Sequence, residues 1–378
     1  MSDEARALTI APSCSRRTKD VYSELDRARP SVRGLTIGVS LCAVVWLSSA
    51  TLPAQNTSSI EVLQIRPNFY MVAGAGGNIG VQVGPDGAFV VNSGRQDATG
   101  EVLAAIQRLT KEPIRYIVNT SAGPEFVGGN AELAKAGRSV STPTIRPRTV
   151  PRGAVVSVDT EAPAIIAHEN VVTRMMGRRD EAAPFPVSAW PSESFSERRK
   201  YLYFNDEGIE ILHQPAAHSD GDSFVFFRRS DVVVAGDVVD ATRFPVIDIE
   251  KGGSLQGEID ALNRLIDLAI PPGPYIGTRA GASPTSPDSG GTEILTGHGR
   301  IYRQIDVVNY RDMVVIIRDV IKDMIDRKLT LEQIQAAAPA KAYAPQYGAT
   351  SGPWTTNDFV KAVYQGLMNP PNNALQER

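Results

Sequence analysis

Short apolar runs separated by glycine-rich turns dominate the chain after residue 60, and they predict β-strands. The predicted strands lie at 69–72, 79–83 and 88–92. Four apolar residues then recur at helical spacing, with Thr99 placed to cap the helix: Val102, Leu103, Ile106 and Leu109. A strand at 114–119, a loop at 120–126 and a helix at 131–136 follow. This alternation predicts a layered α/β domain.

The second half of the chain repeats the alternation of strands and helices. Residues 165–176 read as a strand that runs into a helix, and three strands are predicted at 209–213, 223–227 and 231–235. Ser254 is placed to cap a helix that ends near Ala269, and a short strand follows at 293–296. The remaining helices are predicted at 307–328, 329–335 and 357–367. Two strand-and-helix halves of this kind predict one domain of four layers.

Three segments interrupt this pattern. Residues 141–163 and 278–292, rich in Pro, Thr, Ser or Gly, are predicted to be insertions. Each precedes a strand, so we expect both on the side of the fold away from the site. Residues 178–200 are polar and are predicted to be an exposed connection.

The N-terminal segment has the layout of an export signal. An uncharged run of 13 residues at 35–47 follows Arg29 and Arg33, and small residues come after it. The run is shorter than the roughly 20 apolar residues of a transmembrane helix. We therefore expect a leader at residues 1–54 and a periplasmic or extracellular protein. The alternative is an uncleaved N-terminal anchor, which would be the only membrane contact. The main domain is predicted at 55–335, with a helical tail at 336–378.

The amino-acid composition limits the partners and the catalytic or metal-binding groups that the chain can have. The 39 basic and 42 acidic residues give a formal charge of −3, which argues against a nucleic-acid partner that binds a broad basic surface. The only cysteines are Cys14 and Cys42, so the chain after the leader has no thiolate nucleophile and no cysteine-bound zinc. Metal chemistry would depend on four histidines and on carboxylates. No feature of the sequence specifies an oligomeric state.

Polar motifs fall at the predicted strand ends, where α/β folds build their sites. In chain order they are Gly74–Asn78, Val91–Gly94, Asn119-Thr120, Gly128–Asn130, Ala167–Asn170, Pro215–Asp222, Ala235–Asp237, Gly252–Leu255 and Thr296–Gly299. In order and spacing these motifs resemble the metallo-β-lactamase superfamily, and in particular its exported, hydrolase-like members, over about residues 61–335. The resemblance implies a four-layer αββα sandwich.

The same resemblance implies a binuclear zinc site that this sequence has lost in part. The family motif His-x-His-x-Asp-His falls on 121–126, where its ligand positions are occupied by Ser121, Gly123, Glu125 and Phe126. The other family ligands are present as His218, Asp237 and His298. Asn92 stands where the family has an aspartate that supports the ligands, and an amide adds no charge there.

These substitutions affect the two metal positions differently. The first position keeps only His218, so we expect it to be empty, because a stable zinc site generally needs three or four protein ligands. The second position could keep Glu125, Asp237 and His298, while Phe126 removes a ligand and crowds the space. We therefore expect no dinuclear zinc, and either no metal or a single divalent ion, for which Zn, Mn and Fe are equally suitable.

Three functions follow from this donor set. The first is a protein of this fold that is non-catalytic or altered in its chemistry and binds a small molecule or a partner. The second is a mononuclear metal-dependent hydrolase of an ester, lactone or amide, with Glu125, Asp237, His298 and His218 around the metal. The third is a metal-free hydrolase in which His218, oriented by Glu125, activates water or Ser121. In the catalytic alternatives Asp237 and His218 are the central residues. His168 and His213 are interpreted as structural.

Overall fold

A computed structural model describes residues 60–139, 162–177, 182–273 and 290–369. The predicted leader at 1–54 and all but the ends of the two predicted insertions lie outside the described residues. The expected location of the insertions therefore stays a prediction. Within the described ranges, no helix combines the length and the apolar content that crossing a bilayer requires.

The described strands form two sheets. The first sheet has its strands in chain order: β1 (Glu61–Arg66), β2 (Phe69–Ala75), β3 (Gly77–Gly84), β4 (Gly87–Val91), β5 (Ile114–Val118), β6 (Ala164–His168) and β7 (Glu193–Phe195). The second has the order β12-β11-β10-β9-β8, with β8 (Arg199–Phe204), β9 (Glu207–His213), β10 (Ser223–Phe227), β11 (Val232–Asp240) and β12 (Glu293–His298).

Helices connect these strands and cover the outer faces of the sheets. They are α1 (Thr99–Leu109), α2 (Pro124–Val127), α3 (Asn130–Ala136), α4 (Glu169–Met176), α5 (Leu255–Leu268), α6 (Gln304–Asp326), α7 (Leu331–Ala337), α8 (Ala344–Tyr347) and α9 (Thr356–Met368). Ser254 caps α5 as predicted, since its side chain accepts from the N–H of Gly257.

The three largest apolar clusters of the described residues hold the layers together. One lies between the sheets and includes Phe69, Phe89 and Phe227, whose rings pack edge to face. A second joins α1 and α3 to the outer face of the first sheet. The largest joins α5, α6 and α9 to the second sheet. The order helix, sheet, sheet, helix confirms the predicted αββα sandwich.

The segment predicted as a helical tail contributes to the largest cluster. Phe359 of α9 is fully buried, and its ring stacks on that of Phe244 with centroids 4.8 Å apart. Ile334 of α7 and Val363 of α9 are buried in the same cluster. The predicted division at residue 335 remains a prediction, but the helices on both sides of it share one core.

Besides β1 and α8, which the sequence analysis did not predict, the structure differs from the predicted elements in three places. The segment 178–200 includes β7 and the start of β8, whose alternating exposed residues Tyr201 and Tyr203 gave no apolar run to recognise. The predicted loop at 120–126 contains the start of α2. The strand predicted at 231–235 continues to Asp240, because Gly236 and Asp237 belong to an irregular but paired part of β11.

The strand directions bring the polar motifs to one edge. β4, β5, β6 and β7 run parallel, and so do β11 and β12. The carboxyl ends of parallel strands meet at the same edge of a sheet. The residues after β5 and those of β11 therefore come together across the two sheets.

Candidate functional site

The loop after β5 is held in place by Asn92. This buried residue has φ +67°, a left-handed conformation that Asn adopts more readily than most residues. Its Oδ1 accepts hydrogen bonds from the backbone N–H and the Oγ1 of Thr120, at 3.0 and 2.9 Å. Asn92 thus acts on the backbone of the loop that carries Ser121. Its Nδ2 has no hydrogen-bond partner in the described part of the chain.

A glycine lets the second sheet approach this loop. Gly236 has φ +58°, and a Cβ there would lie 2.4 Å from Thr120 Oγ1. The close contact sets the next residue, Asp237, against Ser121, whose Oγ donates to Asp237 Oδ2 at 2.6 Å. Ser121 is 1% exposed. The hydroxyl of Ser121 is therefore engaged with a carboxylate and shielded from solvent.

His218 lies between two carboxylates. Its Nδ1 is 3.3 Å from Asp222 Oδ1 and 3.7 Å from Asp237 Oδ2. Asp222 is 1% exposed and also accepts from the backbone N–H and the hydroxyl of Ser219. We call the set Ser121, His218, Asp222 and Asp237 the serine–histidine cluster.

The electrostatics of the cluster favour a protonated imidazole. Burial by itself lowers the pKa of His218, but Asp237 and Asp222 outweigh burial and raise this pKa to about 10. Burial raises the pKa of Asp237, while His218 and Ser121 act in the opposite direction. An imidazolium donates from both ring nitrogens and has no lone pair to offer a metal ion.

Glu258 on α5 is a further acidic residue behind the cluster. It is fully buried, and neither carboxyl oxygen has a hydrogen-bond partner within the described residues. Burial, and then the charge of Asp222, raise its pKa well above the usual value, so the group is protonated and neutral. The sequence signal was a carboxylate on the apolar face of α5, between Leu255 and Leu262.

His298 lies at the end of β12 in separate surroundings. Its Nδ1 is 3.3 Å from Asp240 Oδ2, and Asp240 also pairs with Arg243. Burial lowers the pKa of His298, but Asp240 and Asp237 raise it to a value above the usual one. Asp240 was not among the residues identified from sequence, because the sequence predicted this strand to end at residue 235, whereas the strand continues to Asp240.

Phe126 occupies the space beside His298. The two ring centroids are 5.7 Å apart in an edge-to-face arrangement, and Phe126 is fully buried. Gly77 leaves room for the ring, since a Cβ at that position would lie 2.6 Å from it. A family ligand position is thus filled by an aromatic side chain that packs in the core.

Glu125 and Gly123 lie at the start of α2. Glu125 is partly exposed and makes no ion pair with any described residue. Its charge acts on Asp237, whose pKa it raises, so the two carboxylates are near one another. A Cβ at Gly123 would lie 3.0 Å from the carboxyl carbon of Glu125.

The remaining two histidines form a stacked pair. The rings of His168 and His213 are 3.6 Å apart and nearly parallel. His168 Nδ1 accepts from the N–H of Asn170 at the start of α4, and His213 Nε2 donates to the carbonyl of Asp220. Burial lowers both pKa values, that of His168 to about 4. The pair is neutral at pH 7 and belongs to the framework.

These donors do not fit a dinuclear zinc centre. Ser121 donates a hydrogen bond to Asp237, Gly123 has no side chain, and Phe126 offers no ligand atom. Among the described residues, no group of three or more His, Cys, Asp or Glu side chains has the arrangement of a metal site. Glu125, Asp237 and His298, which the sequence suggested for a single metal, do not form such a group either.

Comparison with known proteins identifies the fold. No family model and no curated protein matches the sequence. The structure is similar to that of the stereoselective inverting sec-alkylsulfatase Pisa1 from Pseudomonas sp., with a TM-score of 0.52 and 12% identity. A double mutant of the same sulfatase gives a TM-score of 0.54 at 12% identity. In both cases the match covers 84% of this chain and 52% of the sulfatase, so the chain spans about half of that protein's length.

A metallo-β-lactamase from Pontibacter korlensis also matches, with a TM-score of 0.47 and 12% identity over 68% of this chain and 98% of that one. Identities this low are informative about architecture and not about activity. The two facing sheets with helices on both outer faces, and the similarity to the two sulfatase structures, show that the chain has the metallo-β-lactamase fold.

Proposed function

We propose that this chain is a protein of the metallo-β-lactamase fold that has lost the dinuclear zinc site and binds a small molecule or a protein partner. A single observation carries the proposal. The serine–histidine cluster connects Ser121, Asp237 and His218 into a chain of contacts at the positions where the family places metal ligands. Within this cluster, the imidazolium of His218 provides the positive charge that neutralises Asp237.

The balance of charge supports this interpretation. Asp222 and Asp237 face the imidazolium of His218, and Glu258 behind them is neutral. Because Asp237 and Asp222 raise the pKa of His218, a divalent ion at this place would compete with a proton for the imidazole. Metal affinity at neutral pH falls when a ligand must first lose a proton.

The two catalytic alternatives have less support. In the form of the metal-free hydrolase that uses Ser121 as the nucleophile, the hydroxyl would have to donate to an imidazole, but it is buried and donates to Asp237. In a mononuclear hydrolase Glu125, Asp237 and His298 would have to converge. Phe126 packs edge to face against the ring of His298, with the ring centroids 5.7 Å apart.

Metal content is the test. Protein that begins near Gln55 would be purified without chelator, loaded separately with Zn, Mn and Fe, and measured by mass spectrometry. We expect no stoichiometric metal in any of the three samples. One tightly held metal per chain that is lost in Asp237→Ala would contradict the proposal and favour the mononuclear hydrolase.

A restored ligand set is the positive control. The triple variant Ser121→His, Gly123→His, Phe126→His would supply the imidazoles of the family motif and release Asp237 from Ser121. We expect this variant to bind zinc while the unmodified protein does not. Binding of zinc by both proteins to the same extent would contradict the proposal.

We further propose that the protein is exported and has no nucleic-acid partner. The N-terminal apolar run and the near-neutral formal charge support these two statements. N-terminal sequencing of the protein recovered from the periplasm or the medium should find a start near Gln55. Recovery of the intact chain from the membrane fraction would favour the N-terminal anchor instead.

A further inference from the structure

A cavity of about 500 Å³ lies on the outer side of the second sheet. Its walls come from the ends of β8 and β9, the residues after β9 and the first half of α5. No residue of the serine–histidine cluster lines it. The volume is within the range of small-molecule sites.

The cavity has a surplus of positive charge. Three of its lining residues are arginines, Arg198, Arg199 and Arg264, and its only carboxylate is Asp260. His213 also lines the cavity, but burial lowers its pKa, so it adds no charge at pH 7. The lining therefore carries a net charge of about +2 at neutral pH, which favours an anion.

Arg264 is available for such a ligand. It makes no ion pair or hydrogen bond with any described residue, although Asp260 lies one helical turn before it. Residues at this spacing commonly pair on a helix. Asp260 instead accepts a hydrogen bond from Gln256 Nε2 at 2.8 Å.

Arg199 is only partly neutralised by its neighbours. Its guanidinium is 3.4 Å from Glu210 Oε2, but Glu210 also pairs with Arg228. One carboxylate is thus shared by two guanidinium groups. A guanidinium group offers a planar set of donors that matches the paired oxygens of carboxylates, phosphates and sulfates.

Apolar side chains complete the wall. Leu212, Pro215 and Ala261 line the cavity beside the arginines. We propose that this cavity, which we call the Arg264 cavity, binds a small organic anion. The arginines hold its oxyanion head group, and the apolar wall contacts its carbon part. This proposal does not depend on whether the serine–histidine cluster binds metal.

Titration calorimetry with phenyl phosphate and with inorganic phosphate tests the proposal. We expect phenyl phosphate to bind, more tightly than inorganic phosphate and more weakly as salt is added. Arg264→Gln should raise its Kd about tenfold or more, as expected for the loss of a charged hydrogen bond. Asp260→Asn should lower the Kd, because it removes the only carboxylate of the wall.

Arg108→Gln is the matched control. Arg108 is an exposed arginine of α1, outside the cavity, and the substitution changes the net charge of the protein by the same amount. Its Kd for phenyl phosphate should equal that of the unmodified protein. The proposal is overturned if phenyl phosphate does not bind, or if Arg264→Gln and Arg108→Gln behave alike. Equal affinity for the two anions would refute the proposed contact between the apolar wall and the carbon part of the ligand. The cavity would then be a site for free phosphate.

Discussion

At the scale of single residues, the protonation of His218 is the most consequential feature of the site. A neutral imidazole is a metal ligand and a general base, whereas an imidazolium is neither. The two carboxylates beside it, Asp222 and Asp237, determine which form is present. These carboxylates favour the imidazolium form of the residue to which the family resemblance assigns a metal-ligand position.

Asp222→Asn should lower the pKa of His218. Removal of one of the two adjacent charges should decrease it from about 10 by roughly 1–3 units. The four histidines of the chain make the titration of each ring accessible to NMR. Asp206→Asn, at the opposite end of the sheet, should leave the titration of His218 unchanged. A His218 pKa near 6.5 in the unmodified protein would refute the assignment of an imidazolium.

Gly236→Ala should be strongly destabilising. Gly236 has a positive φ, and the Cβ of an alanine there would lie only 2.4 Å from Thr120 Oγ1. We expect the free energy of unfolding to fall by about 2–4 kcal/mol in urea denaturation. Gly100→Ala is the control, since no atom lies within 4 Å of the added Cβ in α1. That variant should be as stable as the unmodified protein or slightly more so; equal losses in both variants would exclude the steric explanation.

At the scale of elements, the turn from β6 into α4 depends on a buried histidine. His168 caps α4 through Nδ1 and stacks on His213. Burial lowers its pKa to about 4. Below pH 6.5 the unfolded chain takes up a proton that folded His168 does not, so stability falls with the pH until about pH 4.

The variant His168→Asn separates capping from titration. Asn is also a good N-cap but does not titrate. Between pH 8 and pH 5 the unmodified protein should lose about 2 kcal/mol of stability through His168. The variant should not show this loss of stability between pH 8 and pH 5. The difference in the free energy of unfolding between the two proteins at pH 8 measures the effect of the altered packing. An identical pH dependence of the two would show that His168 is not the titrating group.

At the scale of the whole molecule, the outer layer of the second sheet is built from distant parts of the chain. α5, α6 and α9 share one apolar cluster, and Phe359 of α9 packs on Phe244. The division at residue 335 that the sequence suggested passes through this layer. Loss of α9 would expose the apolar faces of the helices that it covers.

Truncation tests this dependence. A chain that ends at Gln335 should aggregate or unfold without cooperativity, because the deletion removes Phe359 and Val363 from the core. A chain that ends at Asn369 keeps all of α9 and should unfold like the full chain. Calorimetry and near-ultraviolet circular dichroism measure both. A cooperatively folding chain that ends at Gln335 would show that the C-terminal helices are dispensable for the core.

Much of the fold could be predicted because its signals are local. The apolar runs of β9 and β10, the capping Ser254 and the long helix α6 are each readable within a few residues of chain. β8 was missed because it is an edge strand whose exposed face carries tyrosines. Its pairing with β9, and not its own pattern, makes it a strand.

The sequence predicted which chain positions belong to the candidate site, but not the environment or the contacts of the side chains there. The sequence places Ser121, Gly123 and Phe126 where the family has histidines, and this loss is visible without a structure. It did not reveal Asp240 or the neutral Glu258, since neither has a local signal that distinguishes a ligand from a buried acid. Their environment depends on the packing of α5 and β12 against β11.

The sequence by itself determined the alternation of strands and helices and limited the chain to four histidines. Only the tertiary structure decided what the remaining groups do. Ser121 and Asp237 are 116 positions apart in the chain, yet their oxygens are 2.6 Å apart. The charge of His218 likewise follows from burial and from its distances to two carboxylates. Desolvation and Coulomb interactions depend on separation in space, and a linear sequence does not specify that separation.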